Sequence, residues 1–190
     1  LTADGSFPLG GAVAGISIIA GVNPWLACAF GMLAGSVAGI VTAWLHVKLG
    51  ILQLLASILV MVALYSVNLR IMGAPNLPLL GETTVFSTLV SDGNGYWMRC
   101  LIIGVVVLLA MLFLNWFYST ETGLSMRATG SNLRMAQAQG INTSWMTIIG
   151  MAISNGLIAL AGALFVQTQG GADISIGIGT IVIGLAAVII

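Results

Sequence analysis

Long apolar runs broken by short polar stretches set the plan of this chain. Residues 49–69, 100–120 and 135–172 carry no charged side chain at all. A bilayer core needs about 20 apolar residues in a helix. The runs lack the period-two alternation of a half-buried strand, and only helices or closed barrels satisfy every backbone group in lipid. The pattern therefore predicts an all-α, polytopic transmembrane helical bundle without a sheet. Its spans fall at about residues 7–20, 24–46, 51–71, 97–118, 145–167 and 176–190.

The first of these is short. Gly5, Pro8, Gly10 and Gly11 crowd its start, so 7–20 reads as a half-helix or broken helix. Residues 21–24 form a turn with Asn23 as N-cap and Pro24 in the first helical position. In the second span Gly31, Gly35 and Gly39 recur every four residues, a face that lets another helix come close. Residues 72–96 hold Pro75, Pro78, Glu82, Asp92, Gly93 and Gly95, an ordered surface loop with a short helix expected at 83–90. Trp25, Trp44, Trp97, Trp116 and Trp145 each lie near an expected helix end, as an aromatic belt would place them.

Composition sharpens the class. Apolar residues make up 59% and charged ones 5% of the chain, far below the ~25% charged of a soluble domain. Formal net charge is zero, so no nucleic-acid partner is indicated. Cys28 and Cys100 lie far apart in apolar runs and read as buried free thiols. The single histidine, His46, sits beside a turn, so neither a metal cluster nor a Ser-His-Asp set is expected. The sole lysine, Lys48, lacks the flanks of a nucleotide-binding P-loop. The chain is therefore not expected to hydrolyse ATP by that route, and no cofactor is expected. No signal peptide is read at the start. The last run is interrupted at Ile190, so spans are expected to be missing at both ends.

The longest polar break with a helical pattern of its own is 127–144, RATGSNLRMAQAQGINTS. It holds Arg127 and Arg134, two of five basic residues. Residues 132–139 read as a short helix, with Ser131 or Asn132 as N-cap and Gly140 just past its end. The pattern Arg127-Ala128, Asn132, Arg134-Met135-Ala136 and Gly140-Ile141-Asn142 resembles the cytoplasmic "EAA" coupling loop of ABC-importer permeases. The group that includes branched-chain amino acid and ribose permeases is the nearest in pattern, and the early segment LTADGSFPLGGAVAG is also similar to that group. The loop departs from the fullest motif at Thr129-Gly130-Ser131. The resemblance implies a cytoplasmic loop at 119–144 and an extracytoplasmic loop at 72–96. It also implies ATPase subunits docking on Arg127, Asn132, Arg134, Met135, Ala136 and Gly140. An extracytoplasmic substrate-binding protein and a second permease subunit would complete the assembly, and the solute would be an amino acid or sugar.

Residues 3–15 and 172–184 are identical at six of thirteen positions. With 46–50 on the cytoplasmic side, the two copies run in opposite directions, as in inverted-repeat transporters. Asp4, Ser6, Asp173 and Ser175 stand at the two starts and are the candidate substrate-pathway residues. They would either cap helices at the interface or stand inside the bilayer, where an ionisable group is a functional hypothesis by default. An ion-coupled secondary transporter is the alternative to the importer. It would have only Asp4 and Asp173 to work with.

Overall fold

The computed structural model describes residues 2–79, 81, 84–86, 95–177, 179, 184, 186, 187 and 189. Its helices are α1 (Thr2–Ile19), α2 (Pro24–Leu49), α3 (Gln53–Met72), α4 (Gly95–Ser119), α5 (Glu121–Ser131), α6 (Leu133–Ala138) and α7 (Thr143–Gln169). Strands β1 (Asn76–Pro78) and β2 (Gly171–Asp173) follow α3 and α7, and a 3-10 turn occupies Ile174–Gly177. Among the described residues, four helices are long and apolar enough to cross a membrane: α2, α3, α4 from Trp97, and α7.

Helix ends follow local chemistry. Asn23 Oδ1 accepts from the Trp25 N–H at 3.2 Å, and Pro24 opens α2 where its missing N–H costs nothing. Gly50, Gly73 and Gly170 close α2, α3 and α7 in the left-handed region. His46 Nδ1 lies 2.8 Å from the Ile51 carbonyl and ties the α2–α3 turn.

Glycine sets the packing of α1, α2 and α7. A Cβ added at Gly10 would collide with the backbone of Ala159, and one at Gly162 with the carbonyl of Phe7. On α2, a Cβ at Gly31 would lie 2.9 Å from the Gly10 oxygen, and one at Gly35 would lie 2.6 Å from the Asn155 oxygen. One at Gly39 would strike the Met151 carbonyl. The stripe on α2 thus has its partner in α7, with α1 wedged at one end. This is small-residue packing that lets backbones meet. Ala12, Ala14, Ala27, Ala159 and Ala163 fill the same seam and are buried. Away from it Trp25, Trp44, Trp97, Trp116 and Trp145 are all about half exposed or more, at or near the helix ends.

Several expectations are corrected. The chain has a two-stranded antiparallel ribbon, pairing Asn76 with Asp173, Leu77 with Ala172 and Pro78 with Gly171. Three residues per strand are too few to leave a period-two signal. The first helix is not confined to 7–20. It runs unbroken from Thr2 with Pro8 inside it, where proline has no N–H to give to the Asp4 carbonyl. Gly177 packs against that same oxygen. Cys100 is exposed on α4, not buried. The expected helix at 83–90 lies mostly outside the described residues, as does most of the run at 176–190.

These contacts predict that Gly10→Val lowers stability by about 1–3 kcal/mol through overpacking. Gly104→Val, with nothing within 4 Å of its added Cβ, is expected to change it little. Unfolding midpoints of the two variants in the same detergent check this.

Candidate functional site

Two regions gather the sequence-nominated residues. The first lies where α1 begins. Gly5 faces α3, and a Cβ there would lie 3.2 Å from the Met61 Cα. The Asn68 amide on α3 donates to the Gly5 carbonyl at 3.5 Å. The start of α1 therefore stands level with residues 61–68 of α3, well inside that helix and not at its end. Residues 171–177 run antiparallel to α1. The Ala172 Cβ lies 3.9 Å from a Cβ added at Gly15, and Gly177 reaches Asp4 and Pro8. The described part of the second repeat copy thus returns along the first in the opposite direction.

A cavity of about 240 Å³ opens between α1 and α3, lined by Asp4, Pro8, Met61, Tyr65, Asn68 and Ile174 among others. Of the four nominated pathway residues, Asp4 lines it. Ser6 does not, and it is not a cap. It sits inside α1, fully buried, with its hydroxyl 3.0 Å from Asn155 Oδ1 of α7. The Asn155 amide in turn donates to the Met151 carbonyl at 2.9 Å. Asp173 is a cap. Its carboxylate accepts from the Ser175 N–H and from the Ser175 hydroxyl, each at 2.8 Å. Those two bonds hold its pKa below the ordinary aspartate value.

Sequence reasoning missed the buried amides. Asn68, Asn155 and Gln167 are each nearly or fully enclosed. Gln167 Nε2 donates to Cys28 Sγ at 3.0 Å, and its Oε1 accepts from the Val85 N–H at 3.0 Å. It pins residues 84–86 to the helices. Each amide lies on a helix whose apolar residues dominate, and a polar amide in such a helix was the available signal.

The second region is the hook between α4 and α7. A Cβ at Gly123 would strike the Phe117 carbonyl, so the chain can fold back sharply after α4. Thr120 caps α5, its hydroxyl accepting from the Gly123 N–H at 3.4 Å. Met126 of α5 rests on Gly150 of α7. The short helix expected at 132–139 is found as α6, and a second helix not expected from the sequence, α5, precedes it and joins it at Asn132. That residue ends α5 and caps α6, Oδ1 accepting from the Met135 N–H at 3.1 Å. Its extended backbone breaks the helix, and its side chain restarts it. Gly140 takes φ +80°, and the Gly140 and Ile141 N–H groups bond back to the Gln137 and Ala136 carbonyls. This is a Schellman ending, which requires that left-handed residue.

Arg127, Arg134 and Met135 are exposed, and so is Leu133. Ala136, nominated as an outward contact, is buried at 3% exposure. It forms the floor of a groove of about 210 Å³ between α5 and α6, beside Ala128, Asn132 and Met135. No group of three or more possible metal ligands occurs among the described residues.

A lowered carboxylate pKa contributes stability above the unfolded value, and that stability is lost as pH falls through the folded one. Asp173→Asn is therefore expected to keep the turn but lose that pH dependence, and Asp173→Ala to lose the turn. Proteolysis rates at residues 171–177 across the acid range check both.

The family description "Branched-chain amino acid transport system / permease component" matches residues 1–190. A tyrosine transport system permease protein of Clostridioides difficile (strain R20291) is 40% identical over 190 residues, covering 100% of this chain and 62% of the relative. An uncharacterized protein of Rickettsia prowazekii (strain Madrid E) is 35% identical over 192 residues, 100% of this chain and 65% of that protein. An autoinducer 2 import system permease protein of Escherichia coli O9:H4 (strain HS) is 28% identical over 167 residues, 82% of this chain and 44% of its own length. The chain thus spans less than two thirds of the length of each of these relatives. No solved structure matches at a significant level.

Proposed function

The chain belongs to the family of branched-chain amino acid transport system permease components, and from that premise we propose that it is the membrane subunit of an ATP-binding cassette importer for an amino acid. Its place is the cell membrane, which it crosses several times. The observation that carries the proposal is the hook. α5 and α6 stand between two apolar helices with Leu133, Met135 and Leu124 each more than half exposed. Apolar side chains offered beside Arg127 and Arg134 suit a cleft in a partner protein that has both apolar surface and carboxylates.

In this reading separate ATPase subunits grip α6, and their closure on ATP moves the α5–α6 hook. Met126 on Gly150 carries that motion to α7, and α7 holds α1 through Ser6 and Asn155. A substrate-binding protein meets the opposite end, near the β ribbon and residues 84–86. A second permease subunit, identical or homologous, completes the pathway. Asp4 stands on the solute route, and Ser6, Asp173 and Ser175 hold its frame. The tyrosine permease among the relatives supports an amino-acid solute, and an aromatic one first. An ion-coupled mechanism is less favoured, because the Asp173 carboxylate is already engaged in its own turn.

Reconstitution of the full-length permease with its ATPase and binding protein tests this. Met135→Asp places a charge on the docking face, and Gly140→Val denies α6 its ending. Each is expected to lower substrate-stimulated ATP hydrolysis about tenfold, the effect of roughly 1.4 kcal/mol, with the subunit still in the membrane. Unchanged stimulation in both would refute the transmission role.

A further inference from the structure

We propose that the cavity between α1 and α3 is a subsite for the ammonium group of an amine-bearing solute, with Asn68 as its specificity-determining residue. This rests on the permease reading and extends it to the chemistry of the solute.

Asn68 is fully buried, and its Oδ1 has no hydrogen-bond partner. Buried carbonyls are rarely left unmade, since desolvation is uncompensated. Turning the amide over would not relieve it. The oxygen would then face the Gly5 carbonyl, acceptor against acceptor, in place of the present N–H···O contact at 3.5 Å. The orientation is set, and a residue that lines the cavity is left with an acceptor that has no donor.

The surroundings say which donor. Asp4 shares the lining, so the polar groups on the α1 side are acidic. A carboxylate or phosphate would meet acceptors on both helices. An ammonium has three donors and no acceptor. It can serve Asn68 Oδ1 and the Asp4 side together. Tyr65 adds an aromatic ring at the half-exposed edge, where a cation is welcome. Pro8, Met61, Val62 and Ile174 supply apolar wall for the body of the solute. The volume of about 240 Å³ is several times the about 30 Å³ share of one water in the liquid. The space suits an organic ammonium better than a single trapped water. Its depth, level with the middle of α3, is where an ionisable side chain is expensive without a role.

The test uses the full-length complex in proteoliposomes, with Cys28→Ser, Cys100→Ser and Met61→Cys, and follows maleimide labelling of the introduced thiol. Two probes are compared: tyramine, which has the ammonium but no carboxylate, and 4-hydroxyphenylpropionate, which has the reverse. At about ten times its dissociation constant, tyramine is expected to slow labelling about tenfold by mass action, and the acid to leave it unchanged. Asn68→Leu is expected to abolish the protection. Asn68→Asp, which keeps an acceptor and adds charge, is expected to retain it. Equal protection by the acid, no protection in the presence of Asn68, or full protection in Asn68→Leu would each overturn the inference. ATP-driven tyrosine uptake by the same vesicles separates the two levels. Uptake without protection overturns the subsite alone. Protection without uptake supports the subsite and counts against the importer reading alone.

Discussion

Lipid tails are as apolar as leucine, so helices in a bilayer gain little by hiding leucine from them. What holds such helices together is close approach, and close approach needs small residues. Gly10, Gly31, Gly35, Gly39 and Gly162 provide it, each standing where a Cβ would run into a neighbouring backbone or side chain. Everything else in the structure is hung on that seam. α1 can lie between α2 and α7 only because its backbone touches theirs. The cavity beside Asp4 exists because α1, so placed, faces α3 with Gly5 and Pro8 and not with bulk. α4 shows the contrast. It has few contacts with the rest, and its large side chains are turned outward.

Polar bonds then choose among the arrangements that small residues permit. A hydrogen bond between membrane helices is worth about 0.6 kcal/mol on average, and up to about 2. That is modest, but it is directional. Ser6 to Asn155 sets the rotation of α1 on α7, and Gln167 to Cys28 and Val85 ties α7, α2 and residues 84–86. Ribbon pairing between β1 and β2 closes the same end. At the opposite end Asn132 turns one helix into the next with a single side chain. The hook is thereby held to the bundle through α7 while its apolar residues stay outside.

The all-helical membrane bundle was legible because long charge-free runs admit few other structures. The α2 glycine stripe was legible as a contact face, though not its partner, since period four names a face and not what meets it. The hook was legible through Gly140 and Asn132, whose local roles follow from backbone chemistry. Ala136 was misjudged, because in six helical residues burial depends on how α5 folds back, which no local pattern records. The ribbon was invisible for want of length. Asn68 was the costliest omission. One amide in an apolar helix looks incidental until the carbonyl it faces and the oxygen it leaves over are known. Asp173 has the same identity as Asp4 and the same offset in the repeat, yet it closes its own turn. The same residue at the same offset did not make the same site, because one copy is α-helical from Thr2 and the other begins as a strand and a 3-10 turn.

The central claim is that α1 begins within the membrane, beside the middle of α3, and so presents Asp4 to an interior cavity. Depth measured by spin-label relaxation tests it most directly. Labels at Asp4→Cys, Met61→Cys and Trp25→Cys of the full-length protein in lipid would be compared for access to oxygen and to a water-soluble nickel chelate. The claim predicts that position 4 matches position 61 in depth and differs from the interfacial position 25. A position 4 with the interfacial signature of position 25 would contradict it.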